Sequence, residues 1–288
     1  MKILVTGAGG QLGRTLLAAG PPDVTMVGLD RSQLDIAEPG QVLACLQRER
    51  PDVVVNCAAY SAVDLAESEV AKARKANAAG PENLAIVARD SGARLIHLST
   101  DYVFDGRATV PYPPGALQNP LSAYGASKCE GEQRIHDVLA GNSVVLRSSW
   151  LYSEYSGNFV STMLRLFRER EDVSVVNDQT GSPTWARSVA DAIFAFVAKP
   201  DIAGTYHWSD AGQASWYDFA CAIHEEALDL GLLDKKVDIR AIATRDYQAA
   251  AKRPAYSVLD CSSTSEALGL KQTPWRQNLR AMLEVVVR

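Results

Sequence analysis

The sequence predicts an α/β protein built on a doubly wound parallel sheet, followed by a smaller, discontinuous C-terminal domain. Three observations predict it. Through the first 150 residues, short β-branched runs alternate with helical stretches of ten or more residues, as a parallel sheet with crossover helices requires. A glycine-rich segment, "VTGAGGQLGRTL", separates the first run from the first helical stretch, which is where Rossmann-like sheets receive phosphate groups. Beyond residue 150 the alternation becomes irregular and no longer extends one βα series.

Taken in order, the strands of the first part are "KILVT" (2–6), "VTMVGL" (24–29), "DVVVN" (52–56), "RLIHLS" (94–99) and "SVVLR" (143–147). Near-continuous Val, Ile and Leu marks strands covered on both faces. Helices fill the gaps at 11–19, 38–50, 66–90 and 121–139, and right-handed crossovers would wind them about the sheet. The second part offers a helix at 157–170, a strand at 173–176, a helix at 185–198 and a strand at 204–208. A helix at 215–229 follows, with Ser215 as N-cap and Trp216, Phe219 and Ala220 turned inward. A strand at 236–241 and a helix at 276–287 complete the chain. The expected division is residues 1–150 with about 184–200 in a dinucleotide-binding domain, and 151–183 with about 201–288 in a smaller one.

Composition narrows the partner. A net charge of -5 leaves no basic footprint for nucleic acid or an anionic membrane, so a small molecule is expected. Five scattered cysteines form no C-x-x-C pair, and four dispersed histidines form no ligand pair. Neither a disulfide framework nor a metal site is expected. "MKILVTGAGG" is too short an apolar run for a signal peptide, and eighteen apolar residues never run together. The expectation is a soluble, cytoplasmic protein with reduced thiols.

Gly7, Gly10 and Gly13 fall where a backbone must turn tightly and approach a pyrophosphate at a helix N-terminus. Asp30, seventeen residues beyond Gly13, ends the second strand, where an acid accepts hydrogen bonds from the adenosine ribose and favours NAD. The adjacent Arg31 suits a 2′-phosphate instead, so NAD and NADP both stay open. Ser99, Thr100 and Asp101 stand at the carboxyl end of the fourth strand, where doubly wound sheets bind ligands. "LSAYGASKCEGEQ" (121–133) then sets Tyr124 and Lys128 one helical turn apart on one face. In isolation that pair equally suits a surface ring packed on a lysine stem. Together the three groups fit ketone reduction, because hydride transfer builds negative charge on the carbonyl oxygen, which must receive a proton. Tyr124 would supply that proton, acidified by the Lys128 ammonium, and the Thr100 hydroxyl would hydrogen-bond the substrate oxygen.

The glycine loop, the Ser/Thr after the fourth strand and Tyr-x-x-x-Lys resemble the extended short-chain dehydrogenase/reductases. "GQLG", "LDI" (34–36), "NCAAYSAVDLAE" (56–67), "STDYVFDG", "YGASKCEGE", "SSWLYS", "NFV", "DQTGSPT" and "SWYDFA" narrow the resemblance to the dTDP-4-dehydrorhamnose reductase family, from Met1 to about Gly269. That resemblance implies reduction of the C4 ketone of dTDP-4-dehydro-6-deoxy-L-mannose to dTDP-L-rhamnose with NADPH or NADH. It implies catalytic roles for Thr100, Tyr124 and Lys128, the latter two also touching the cofactor. Gly7, Gly10, Gln11, Leu12 and Gly13 would line the pyrophosphate and Asp30 and Arg31 the ribose. Asp35 and Ile36 would flank the adenine, with Ala58, Ala59 and Tyr60 on the nicotinamide side. Nucleotide-sugar contacts would come from Ser61, Val63, Thr100, Asp101, Tyr102 and Trp150, with Arg253 at the diphosphate.

One departure bears on assembly. Thr15 stands where some members place a Glu that joins a magnesium site across a dimer, so no metal is expected and either a monomer or a homodimer is. Rival readings are another nucleotide-sugar short-chain reductase or epimerase, and a non-catalytic regulatory subunit resembling the β subunit of methionine adenosyltransferase. Against a 4,6-dehydratase, Thr100 is followed by Asp101 and Tyr102, without the Glu that chemistry uses.

Overall fold

The computed structural model describes residues 1–155 and 157–287. Ser156 and Arg288, both in stretches assigned to the smaller domain, lie outside the described residues. Five strands of the main sheet come from the first 150 residues: β1 (Lys2–Thr6), β2 (Thr25–Leu29), β3 (Val53–Asn56), β4 (Arg94–Thr100) and β5 (Ser143–Ser148). Two-residue strands β6 (Leu151–Tyr152), β8 (Thr180–Gly181), β9 (Thr184–Trp185) and β11 (Ala214–Ser215) join β7 (Asp172–Val176), β10 (Gly204–His207) and β12 (Asp238–Ile242). The six-stranded sheet runs β10-β5-β4-β3-β1-β2, with every pair parallel.

The sheet therefore takes its edge strand from 204–207, within the stretch that the sequence assigns to the smaller domain. Its short apolar run carries no signal of which sheet it joins. The two-residue ladders β6–β9 and β8–β11 are also absent from the sequence prediction, because two residues show no period.

The helices are α1 (Gln11–Ala18), α2 (Pro39–Glu49), α3 (Val63–Ala66), α4 (Val70–Arg74), α5 (Gly80–Ser91), α6 (Ala123–Leu139), α7 (Phe159–Glu169), α8 (Ala186–Val197), α9 (Trp216–Asp229), α10 (Ser262–Leu268) and α11 (Trp275–Val287). They cover both faces of the sheet. Ile3, Val5, Val53, Val55 and Ile96 point to one face, against Leu12 and Leu16 of α1 and Val189, Ile193 and Phe196 of α8. The alternate residues Leu4, Val54, Leu95 and Val145 point to the other, against α2, α5 and α6. The period-two alternation of strand side chains divides the two cores. A third core, with Phe167, Phe219 and Leu279, joins α7, α9 and α11.

The helix predicted at 66–90 is four pieces. Between α4 and α5 runs a π-helical turn, Lys75–Ala79, and Pro81 sits in the first turn of α5. Pro81 has no N–H to give the carbonyl of Asn77, four residues back, so the α-helical bond is lost there and the winding widens. The Asn77 side chain then reaches Tyr60, accepting from its N–H at 2.8 Å and donating to its carbonyl at 3.0 Å. The helix α10 escapes the prediction because "SSTSEAL" is polar and short.

Candidate active site

The strand order reverses between β1 and β3, and in parallel α/β sheets the crevice beyond the carboxyl ends at that point receives the ligand. A cleft of about 1110 Å³ opens there. Its walls bring together residues from positions 7 to 216, from Gly7 of the glycine loop to Trp216 of α9. Every residue the sequence nominates lines it except Arg253.

At one end lies the glycine loop. Gly7 has φ +67°, and a Cβ there would stand 2.5 Å from the Ala58 nitrogen, so only glycine lets the loop lie against the backbone just past β3. Gly10 is the N-cap of α1 and offers no side chain to the first-turn N–H groups. Those donors, together with the positive end of the helix dipole, face the cleft and suit a phosphate. Gln11 also ties this loop to the second half of the chain: its Oε1 accepts from Ser153 Oγ and Asn158 Nδ2, both at 2.9 Å. Asp30 accepts from Ser32 N at 2.8 Å and Ser32 Oγ at 2.6 Å, and these bonds hold its carboxyl below the usual range. Arg31 is exposed, 3.6 Å from Asp35. Thr15 is buried, and its hydroxyl donates to the Gln11 carbonyl at 2.9 Å.

The reactive end is built by two turn caps, one close backbone approach and a buried ion pair. Thr100 closes β4 and caps the 3-10 turn Asp101–Val103, its Oγ1 accepting from Tyr102 N at 3.2 Å and donating to Asp101 Oδ1 at 3.1 Å. Ser122 caps α6 by accepting from Gly125 N at 3.1 Å. The residue between Tyr124 and Lys128 that matters most is Gly125: a Cβ there would sit 2.2 Å from the Tyr102 carbonyl oxygen. Its absence lets α6 lie against the Thr100 turn and sets the Tyr102 and Tyr124 rings edge to face at 5.8 Å. A buried ion pair fixes the helix from below, Arg147 of β5 donating to Glu132 of α6 at 2.7 Å, while Ser99 Oγ donates to the same carboxylate.

The electrostatics correct one expectation. The sequence has Lys128 acidifying Tyr124, but the half-buried phenol is pushed up to about 12, because burial outweighs the Thr100 hydrogen bond and the Asp101 carboxylate adds to the rise. The Lys128 ammonium points elsewhere: 2% exposed, its Nζ donates to the Leu98 carbonyl at 2.6 Å and lies 3.2 Å from His97 Nε2. Burial pushes Lys128 down to about 8. Asp101, also buried, is pushed up to about 6 against the pull of its Ser257 and Thr100 hydrogen bonds.

Ser61, Val63, Tyr102 and Trp150 line the far end. Trp150 has φ +44°, a strained value for a bulky residue, and its ring stacks on Trp216 at 3.5 Å and 4°. Trp216 packs against the third core, as the sequence has it, and in addition lines the cleft wall behind Trp150, while Ser215 caps α9 and Phe219 and Ala220 are buried as expected. A signal existed, since an aromatic immediately after an N-cap sits at a helix mouth. Arg253 is the second difference: it stands behind the cleft wall, its guanidinium holding Asp64 at 2.7 and 3.2 Å in bidentate fashion and hydrogen-bonding the wall residue Tyr102.

A glycine loop at the switch point, with Thr100, Tyr124 and Lys128 around one crevice, defines a short-chain dehydrogenase/reductase of the extended, nucleotide-sugar type. A family model described as the RmlD substrate binding domain matches residues 1–288, and the chain belongs to that family. The dTDP-4-dehydrorhamnose reductase of Aggregatibacter actinomycetemcomitans is 40% identical, covering 98% of this chain and 99% of its own. A solved dTDP-4-dehydrorhamnose reductase from Clostridium acetobutylicum is similar with TM-score 0.94 and 36% identity over 100% of both chains. The Bacillus anthracis enzyme of that name, solved in complex with NADP, gives TM-score 0.93 and 37% identity over 99% of each.

Proposed function

We propose that this chain reduces the C4 ketone of dTDP-4-dehydro-6-deoxy-L-mannose to the alcohol of dTDP-L-rhamnose, the last step in making that nucleotide sugar, using NADPH or NADH. The observation that carries this reading is the convergence of Thr100, Tyr124 and Lys128 on one crevice in a chain 40% identical, end to end, to a dTDP-4-dehydrorhamnose reductase. The uncapped start of α1 and the Gly7 turn suit the cofactor's pyrophosphate, and Asp30 and Arg31 its adenosine ribose.

A bound reduced nicotinamide supplies the hydride to C4. Tyr124 gives its proton to the C4 oxygen as negative charge builds there. A phenol near 12 is still a far stronger acid than the alcohol being made, so the transfer runs downhill. Thr100 donates a hydrogen bond to the same oxygen and holds it within reach of Tyr124. Lys128 hydrogen-bonds the ribose hydroxyls beside the nicotinamide. Trp150, braced by Trp216, covers the sugar and excludes water. In this reading residues 1–150 with about 184–200 hold the cofactor, and 151–183 with about 201–288 hold the nucleotide sugar.

The reactive residues belong to one chain, so a monomer or a homodimer serves equally. Among the described residues no helix is long and apolar enough to cross a membrane, and a nucleotide-sugar substrate with a nicotinamide cofactor supports a cytoplasmic reaction. The test is net oxidation of NADPH or NADH by the purified protein given the dTDP-ketone, with dTDP-L-rhamnose as product. An epimerase would interconvert sugars without net cofactor consumption, and a regulatory subunit would do neither. Either outcome removes the reductase reading.

A further inference from the structure

Three polar side chains cross the middle of the sheet at its carboxyl edge. Thr6, Asn56 and His97 are register neighbours on β1, β3 and β4, and each is 0% exposed. Buried polar groups are kept only where their hydrogen bonds are met, and here the bonds fix every proton in the row. Asn56 Oδ1 accepts from the Ala58 N–H at 3.1 Å and from Thr6 Oγ1 at 2.7 Å. The backbone donor cannot be reversed, so the amide nitrogen of Asn56 must face His97 Nδ1, at 2.8 Å. That nitrogen only donates, which makes Nδ1 an acceptor, and a neutral imidazole accepting at Nδ1 carries its hydrogen on Nε2. Burial and Lys128 keep the ring from taking a second proton. The Nε2–H therefore points at Lys128 Nζ, 3.2 Å away.

An ammonium has three donors and no acceptor, so it leaves that N–H facing N–H. An amine accepts the Nε2 hydrogen on its lone pair and still donates to the Leu98 carbonyl at 2.6 Å. We propose that His97, held in its Nε2–H tautomer by Asn56 and Thr6, is a positioning residue that disfavours the Lys128 ammonium in favour of the amine, in addition to what burial does.

The other groups facing Lys128 do not override it. Glu132, one turn along α6, favours the charged form, but its carboxylate is engaged by Arg147. Cys57, beyond β3, is pushed up to about 12 by burial and stays a neutral thiol. Tyr124, one turn back on α6, is neutral at the same pH. Burial by itself already brings Lys128 from its ordinary 10.5 to about 8, and the His97 N–H acts in the same direction. The consequence is an alkaline limit to cofactor capture. The ammonium that hydrogen-bonds the ribose is present below about pH 8 and disappears above it.

This inference rests on the reductase reading, and two measurements keep the two apart. The first uses the wild-type protein with no substrate: the ring nitrogen NMR shifts of His97, one of four histidines, should report hydrogen on Nε2 and none on Nδ1. A hydrogen on Nδ1 overturns the proposal whatever the protein catalyses. The second is the pH profile of kcat/KM for the nicotinamide cofactor, which reports groups of the protein before the cofactor binds. Wild type should fall away near pH 8. In His97→Gln, with an amide carbonyl able to accept from the ammonium, the fall should move up by about one pH unit or more, with the plateau kept within about tenfold. An unmoved limb overturns the proposal and leaves His97 a packing residue. Absence of turnover in wild type would sink the reductase reading instead.

Discussion

Tyr124→Phe is expected to lower kcat by about 100- to 10,000-fold while cofactor affinity stays within about tenfold of wild type. The variant removes one oxygen and nothing else. The ring keeps its edge-to-face contact with Tyr102, and Gly125 still lets α6 approach the Tyr102 carbonyl. What disappears is the phenol that hydrogen-bonds the Thr100 hydroxyl, so the developing oxyanion must take its proton from solvent. Steady-state rates with the dTDP-ketone, set beside cofactor binding measured by fluorescence, check both halves. Turnover retained at the wild-type level would remove Tyr124 as the acid.

Lys128→Met is expected to separate activity from stability. The lysine is 2% exposed, and burial moves it from 10.5 to about 8. Between those values the native state holds fewer protons at this site than the unfolded chain. Stability from this group therefore rises with pH through that window and is lowest below pH 8. At neutral pH the buried cation costs the fold on the order of 3 kcal/mol. Methionine fills a similar space without charge, and the lost bond to the Leu98 carbonyl, about 1 kcal/mol, offsets only part of the gain. Thermal unfolding at pH 7 should give a Tm at or above wild type. Turnover should fall by about 100-fold or more, with cofactor binding weakened as well. A lower Tm would mean that Lys128 is held for the fold and not for the reaction.

How much of this was legible in the residues depended on period and on neighbours. Strands β1 to β5 and the glycine loop declare themselves, because a buried parallel strand is a run of Val, Ile and Leu and its phosphate turn needs glycine. The triad of Thr100, Tyr124 and Lys128 was legible once the strand and helix that carry them were placed. Arg253 was not, because nothing local says that Asp64, nearly two hundred residues earlier, will hold it. The π-helical turn was hidden too, since Pro81 reads as a break only when its missing N–H is matched to the Asn77 carbonyl. The tuning of Tyr124 misled for a related reason. Spacing puts Lys128 on the right face, but burial, the Leu98 carbonyl that accepts from its Nζ and the His97 ring beside it, both on β4, decide where that Nζ points and how it titrates.

The most direct test of the central claim follows the hydride. The purified protein is given dTDP-4-dehydro-6-deoxy-L-mannose and a nicotinamide cofactor deuterated at its transferable position, and the sugar is examined by NMR. The expected result is dTDP-L-rhamnose carrying deuterium at C4, in step with the cofactor oxidised. Cofactor oxidised without deuterium at C4, or sugar recovered with its ketone intact, would contradict it.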